Sequence, residues 1–251
     1  MVLFQSINRW LRIISGVAGV LTISSIMCIT CFPLLPFRAL RVRLANYEGR
    51  FFSYLVSIAL RAKVSSSHRK HLQKKLPAIF ISNHTSALDI FIFGQLIPPS
   101  TMTIAKREIT WIPIFGWSYA FSGHLPINRS NKQKSILAMQ WLVHFVHKHG
   151  MGIWIWPEGT RSKDGRLKKF KKGFAHLAMD TGYPIVPVII HDANQKWPRH
   201  GKIDMAPTEI KIEILDSVDT SDWTRENLEK HIQEIWQLFS DRLGERQKPL
   251  S

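Results

Sequence analysis

The chain has 251 residues, 45% hydrophobic and 21% charged, enough for one sizeable domain with appendages and incompatible with a disordered or fibrous protein. Two cysteines are too few for a disulfide scaffold. With 34 Lys and Arg against 18 Asp and Glu, the net +16 calls for an anionic partner: nucleic acid, a membrane surface or a phosphorylated substrate.

Residues 13–37 carry no charge and are bracketed by Arg9 and Arg12 before and by Arg38, Arg41 and Arg43 after. The run is too long for a cleaved signal peptide, and more Arg follows it in place of a small-residue cleavage site. Pro33 and Pro36 end its helical part near Cys31, leaving about 28 Å of helix, marginal for a straight span. Basic flanks on both sides favour a re-entrant or interfacial anchor with both ends cytoplasmic over a single span. Residues 44–63 form a second amphipathic helix, with Phe51, Phe52, Leu55, Ile58 and Leu60 on its greasy side. It is either part of a membrane-seated module or an ordinary core helix. Residues 65–75 read as a solvated basic linker. These features divide the chain into a membrane-anchoring module (1–63), a linker (64–76) and a soluble domain with a C-terminal helix (77–251).

From residue 76 the pattern is that of a soluble α/β domain. Strands are expected at 78–82, 102–105, 152–156, 185–190 and 209–215. Helices are expected at 88–96, at 133–149 closed by Gly150, and at 223–243, where Leu228, Ile232, Ile235, Phe239 and Leu243 share a stripe. Such alternation predicts a mixed, largely parallel sheet covered by helices on both faces, behind an N-terminal membrane-seated helical segment. No internal repeat is present.

The charge is uneven. Residues 1–157 hold 18 basic residues and three acids, Glu48, Asp89 and Glu108, so any acid there that does chemistry is one of these three. His84 and Asp89, just after the first soluble strand, form an H-x4-D pair. With 11 His and nine Asp in the chain that spacing arises readily by chance. Five helical residues rotate by about 500°, so the pair meets only if His84 sits in the turn and Asp89 reaches back from the first helical turn. Ser86 and Asp89 also fit a capping box, which predicts the same geometry. In the functional version His84 is a general base held by Asp89. The second cluster, Pro157, Glu158, Gly159, Thr160, Arg161 and Ser162, follows a strand. It reads either as a turn or as a phosphate-ester site made of a close-approach Gly, a hydroxyl and a forked Arg. Most of the lysines at 163–172 read as a solvated face. Lys106 and Arg129, taken singly, are surface cations.

Taken together and in order, NHTSALD, AKREITWIPIFGW, GHLPINR and WPEGTRS, followed by IVPVII, resemble the glycerolipid acyltransferase family, in its 1-acyl-glycerol-3-phosphate acyltransferase branch, over about residues 77–190. The resemblance implies a membrane-associated enzyme with its catalytic domain on the cytoplasmic face, as at a bacterial inner membrane. His84, oriented by Asp89, would deprotonate the sn-2 hydroxyl of a lysophosphatidic acid for attack on an acyl thioester. Glu158, Gly159, Thr160 and Arg161, helped by Lys106 and Arg129, would line the glycerol phosphate site. No cofactor or metal is implied, since the thioester of coenzyme A or of acyl carrier protein is already activated. Two positions depart from the family pattern: Trp156 stands for a usual Phe and Pro126 for a usual bulky apolar residue. A close alternative is acylation of another lysophospholipid or a lyso-aminolipid.

Other readings carry less. Cys28 and Cys31 form a CxxC inside the apolar segment with no second pair, and read as packing residues. His144, His147 and His149 suit a helix C-terminus and have no Cys or carboxylate nearby in sequence for a metal. There is no G-x-S-x-G elbow and no P-loop. A non-catalytic basic membrane protein remains as a second class. Nucleic acid is disfavoured, because residues 1–77 hold 12 basic residues and one acid, placed around apolar segments. The oligomeric state is left open.

Overall fold

A computed structural model describes residues 2–67, 72 and 76–250. Among the described residues, eight α-helices and seven strands run in the order α1 (Val2–Cys31), α2 (Arg38–Ala59), β1 (Ala62–Ser66), β2 (Ile79–Ser82), α3 (Asp89–Leu96), β3 (Thr101–Lys106), α4 (Phe115–Phe121), β4 (Leu125–Ile127), α5 (Lys132–His149), β5 (Gly152–Ile155), α6 (Gly173–Thr181), β6 (Ile185–Ile190), α7 (Ala193–Lys196), β7 (Thr208–Ile214) and α8 (Leu228–Arg242). All seven strands join one sheet in the order β1-β7-β6-β2-β5-β3-β4. Every neighbouring pair is parallel except β6 with β7.

Strand alternation explains why both faces are covered. Ile79 and Ile81 of β2 join a core with Leu142, Val146, Phe174 and Phe239 from α5, α6 and α8. Phe80, between them, joins Phe52, Val56, Ile92 and Trp154 under α2 and α3. Local signals set the helix ends: Asn131 caps α5 by accepting the Lys134 N–H at 2.9 Å, and Gly150, at φ +58, closes it. The expected mixed sheet between helical layers is the observed one.

The N-terminal boundary differs from the sequence reading. Residues 64–76 were expected as linker, yet Ala62–Ser66 form an edge strand paired in parallel with Thr208–Ile212. An edge strand with one partner needs little apolar content, so its Lys and Ser residues look like linker. Leu72 is buried in the core under α2, and residues 68–71 and 73–75 lie outside the described residues.

The second helix begins at Arg38, earlier than the expected residue 44, and its inner side belongs to the domain. Arg41 donates to the Phe121 carbonyl at 2.5 Å, Arg38 to Gly123 O at 2.7 Å, and Arg50 to Ile97 O at 2.6 Å. Asn46 donates to the carbonyls of Pro99 and Thr101, both at 2.8 Å. Thus Arg38 and Arg41, taken from the sequence as flanking charges of an anchor, satisfy carbonyls of the α/β domain instead. The outer side of α2 exposes Tyr47, Phe51, Tyr54, Leu55 and Ile58. The core-helix reading therefore holds for its inner face, while its outer face leaves a row of apolar side chains exposed. α1 is a continuous helix about 45 Å long. It packs against α2 and α4, and Thr30 donates to Glu48 Oε1 of α2 at 2.8 Å.

Because α2 covers α3 and β1 extends the sheet, a chain starting at Pro77 is expected to lose cooperative unfolding; thermal melts followed by circular dichroism in detergent, beside the full chain, check this.

Candidate active site

The residues singled out in the sequence gather at the C-terminal ends of the parallel strands, where open α/β sheets place their ligands. His84 follows β2, Lys106 ends β3, Arg129 follows β4, and residues 157–162 follow β5.

His84 sits in the turn before α3, and Asp89 occupies that helix's first turn. Asp89 is fully buried, and its Oδ2 lies 2.8 Å from His84 Nδ1. The same oxygen accepts the backbone N–H groups of Thr85 and Ser86, each at 2.8 Å. The Ser86 bond is the acid's half of the expected capping box. The other half is altered: Ser86 Oγ accepts from Leu88 N–H at 2.9 Å and donates to the Trp197 carbonyl at 2.6 Å. Capping and histidine orientation therefore share one carboxylate. A carboxylate only accepts, so a hydrogen bond between the two has Nδ1 donating and leaves Nε2 with a free lone pair. The Trp156 ring stacks on the imidazole with centroids 4.9 Å apart, which fixes the ring plane. The His84 side chain stays 15% exposed.

The two motif clusters are joined through the His84 peptide. Its N–H donates to Glu158 Oε1 at 2.7 Å, and its carbonyl accepts the Ser162 N–H at 2.9 Å. Asn83 next to it exchanges two hydrogen bonds of 2.8 Å with the Ile190 backbone. Glu158 is thus buried behind His84, away from the open side of the site. Burial pushes its pKa up to about 8, and nearby Asp89 adds to this against the opposing His84 N–H and Lys168.

Residues 156–159 form a turn closed by Gly159 N–H to Trp156 O at 3.0 Å, with Gly159 at φ +71, a conformation that suits glycine. The turn reading of this segment holds. Arg129 reaches across from β4 to donate to the Gly159 carbonyl. Lys106 pairs with Glu108 at 3.2 Å. Thr160 is exposed, and among the described residues the Arg161 guanidinium makes no hydrogen bond or ion pair. It is the free fork of the cluster.

Sequence reasoning missed three parts. Trp156 was noted only as a departure from a family pattern. Arg199 donates to the Arg161 carbonyl at 2.6 Å from a loop with no motif. An apolar cavity, partly open to solvent, runs between α1, α2, α3 and α4 and reaches Trp156. Ile23, Met27, Phe52, Phe93 and Phe115 line it, together with the polar pair Tyr119 and His124. Burial, helped by Arg38, holds His124 down at about 3, so it is neutral. Its Nδ1 accepts the Thr103 N–H at 3.2 Å. These residues come from five elements, so no local signal marks the cavity.

The chain matches the acyltransferase family model over residues 63–191. It is 34% identical to a 1-acyl-sn-glycerol-3-phosphate acyltransferase of Cocos nucifera, over 98% of this chain and 82% of that protein. One of the same name from Limnanthes douglasii is 36% identical over 86% and 76%, and one from Haemophilus influenzae is 30% identical over 67% and 69%. In fold it is similar to the 1-acyl-sn-glycerophosphate acyltransferase PlsC of Thermotoga maritima, with a TM-score of 0.63 at 22% identity over 90% of this chain and 95% of that one. The matched region runs from β1 to the end of β6 and contains His84, Asp89, Lys106, Arg129 and residues 156–162, and the chain belongs to the acyltransferase family of enzymes.

Proposed function

We propose that the enzyme acylates the sn-2 hydroxyl of 1-acyl-glycerol-3-phosphate from an acyl thioester of coenzyme A or acyl carrier protein, giving phosphatidic acid. The observation that carries this reading is the 2.8 Å His84–Asp89 pair, whose imidazole stacks on Trp156 of the apolar cavity's lining. The names of the relatives support the acceptor.

In this reading His84 Nε2 takes the proton of the acceptor hydroxyl as its oxygen bonds to the thioester carbonyl. The imidazolium, steadied by Asp89, then returns the proton to the departing thiolate as the C–S bond breaks. A new ester and a free thiol leave the site, with atoms and charge in balance. Arg161 offers its fork to the acceptor phosphate, with Lys106 and Arg129 adding positive field. Gly159 and Thr160 shape the turn that presents it. Glu158, neutral near pH 7, accepts the His84 N–H without adding a second negative charge beside Asp89. The apolar lining of the cavity between the helices, next to Trp156, suits part of an acyl chain. α1 contains Ile14–Cys31 of Ile14–Leu34, the one described stretch long and apolar enough to cross a membrane. Because its inner face lines the cavity, we favour α1 lying in one leaflet, with the catalytic domain on the cytoplasmic side.

His84→Ala is expected to lower kcat by roughly 10² to 10⁴ while the protein stays folded, since it removes the base. Thiol release and phosphatidic acid formation, measured beside wild type, test this; retained turnover by the folded variant refutes it. Arg161→Ala should raise KM for lysophosphatidic acid about tenfold and leave KM for the thioester unchanged. A shift confined to the thioester would disprove the phosphate assignment.

Glu158 also predicts a pH dependence of stability. A carboxyl whose folded pKa is raised binds its proton more tightly in the folded state, so that contribution is complete at low pH and lost as pH rises toward about 8. The melting temperature of Glu158→Gln, whose amide oxygen still accepts the His84 N–H, is expected to fall less between about pH 5 and 8 than that of wild type. Parallel slopes in differential scanning fluorimetry would contradict the assignment.

A further inference from the structure

From the end of β3 into the first turn of α4 the chain turns outward large side chains that the site does not use. Trp111 is 65% exposed, Ile112 48% and Trp117 52%. The segment is nevertheless firmly built: residues 107–111 form a 3-10 turn, Gly116 N–H donates to Ile112 O at 2.7 Å, and Ser118 N–H to Ile114 O at 2.9 Å. A Cβ on Gly116 would meet the Ile109 carbonyl oxygen at 2.2 Å, so the turn is closed on itself. Its inner residues Ile109, Phe115 and Tyr119 wall the apolar cavity. The aromatic side chains are therefore held outward by a rigid scaffold.

We propose that residues 107–117 are a second membrane-contacting element, which places Trp111, Ile112 and Trp117 in the interfacial zone of a phospholipid leaflet beside α1. Three observations select lipid as the occupant. First, the segment continues an apolar surface: α4 packs on α1, and Ile14, Val17, Leu21, Ile26 and Ile29 of α1 are exposed. Second, Trp is suited to the boundary between headgroup and acyl chain, with an apolar body and a polar N–H. Third, the exposed Lys106 and Arg107 stand at the base of the patch, the Arg107 guanidinium 5.8 Å from the Trp111 ring centroid, where anionic headgroups would meet them. The cavity wall then consists of two lipid-facing elements, α1 and this segment, and a chain can pass sideways between leaflet and cavity. This last consequence rests on the acyl reading of the cavity; the insertion itself does not.

The test uses the full chain with a nitroxide at position 111 (Trp111→Cys in a Cys28→Ser, Cys31→Ala background), reconstituted on phosphatidylethanolamine and phosphatidylglycerol vesicles. A control label sits at the exposed Lys202. Oxygen is expected to relax the label at 111 more than a water-soluble nickel chelate does, with the reverse order at 202. Equal access of the chelate to both positions would overturn the proposal. In a second arm, Trp111→Ser with Trp117→Ser should raise KM for vesicle-borne lysophosphatidic acid by about threefold to tenfold and leave KM for a short-chain, monomerically dissolved acceptor unchanged. Equal changes with both acceptors would count against it. A dimer in detergent that dissociates on the same double substitution would assign the patch to a second copy of the chain and refute the lipid reading. If no acceptor is turned over, the proposed reaction fails while the label still decides the insertion, because that arm needs no activity.

Discussion

The site depends on how the His84 peptide is held. Its N–H is bound by a carboxyl from the turn after β5, its carbonyl by an amide three residues beyond that turn, and the preceding Asn83 is paired to the end of β6. Three neighbouring strands thereby fix the backbone of one residue, and Asp89 and Trp156 fix its ring. Each bond is worth only about 0.5–1.5 kcal/mol net. Their value lies in orientation, since a base misplaced by an ångström loses much of its effect. Buried as it is, Glu158 can serve as an acceptor beside Asp89 because desolvation keeps it protonated; two carboxylates in one buried corner do not both ionise readily.

Charge that reads as a surface property in the sequence is partly internal. Arg38, Arg41 and Arg50 spend their N–H groups on backbone carbonyls between residues 97 and 124, and Arg38 also lies over the Trp141 ring at 4.0 Å. These carbonyls lie where the chain passes from α3 to β3 and from α4 to β4, beside the cavity wall. Cations on α2 therefore act as connectors between the N-terminal helices and the α/β domain, and the field left for anionic ligands is smaller than +16 suggests.

Much of the α/β core was legible because buried strands such as IVPVII and IFIS are apolar runs, and α5 carries both its cap and its terminal glycine. The His84–Asp89 meeting could be derived from helix geometry, since only one arrangement lets the two side chains touch. β1 was not legible, because an edge strand of Ala, Lys, Val and Ser has no hydrophobic signature. The true start of α2 was hidden by arginines whose partners lie more than 45 residues away. α6 escaped notice beside its lysine-rich approach. Arg199 and the cavity could not be found, for each is made only when distant segments meet.

The pairing of β1 with β7 also constrains how the protein is made. Ala62 lies opposite Thr208, 146 residues later in the chain, and the two form a parallel edge remote from the first-made core strand β2. At a synthesis rate of about 5–20 residues per second, β1 waits on the order of ten seconds for its partner. During that interval α1 and α2 are already out, with their apolar faces uncovered and the sheet edge open. A nascent chain of this design is at greatest risk of aggregation before β7 emerges, and early capture of its first helix by a lipid surface would hold the unpaired edge apart from other chains. The long-range strand pair that completes the domain thus makes the order of emergence part of its folding problem.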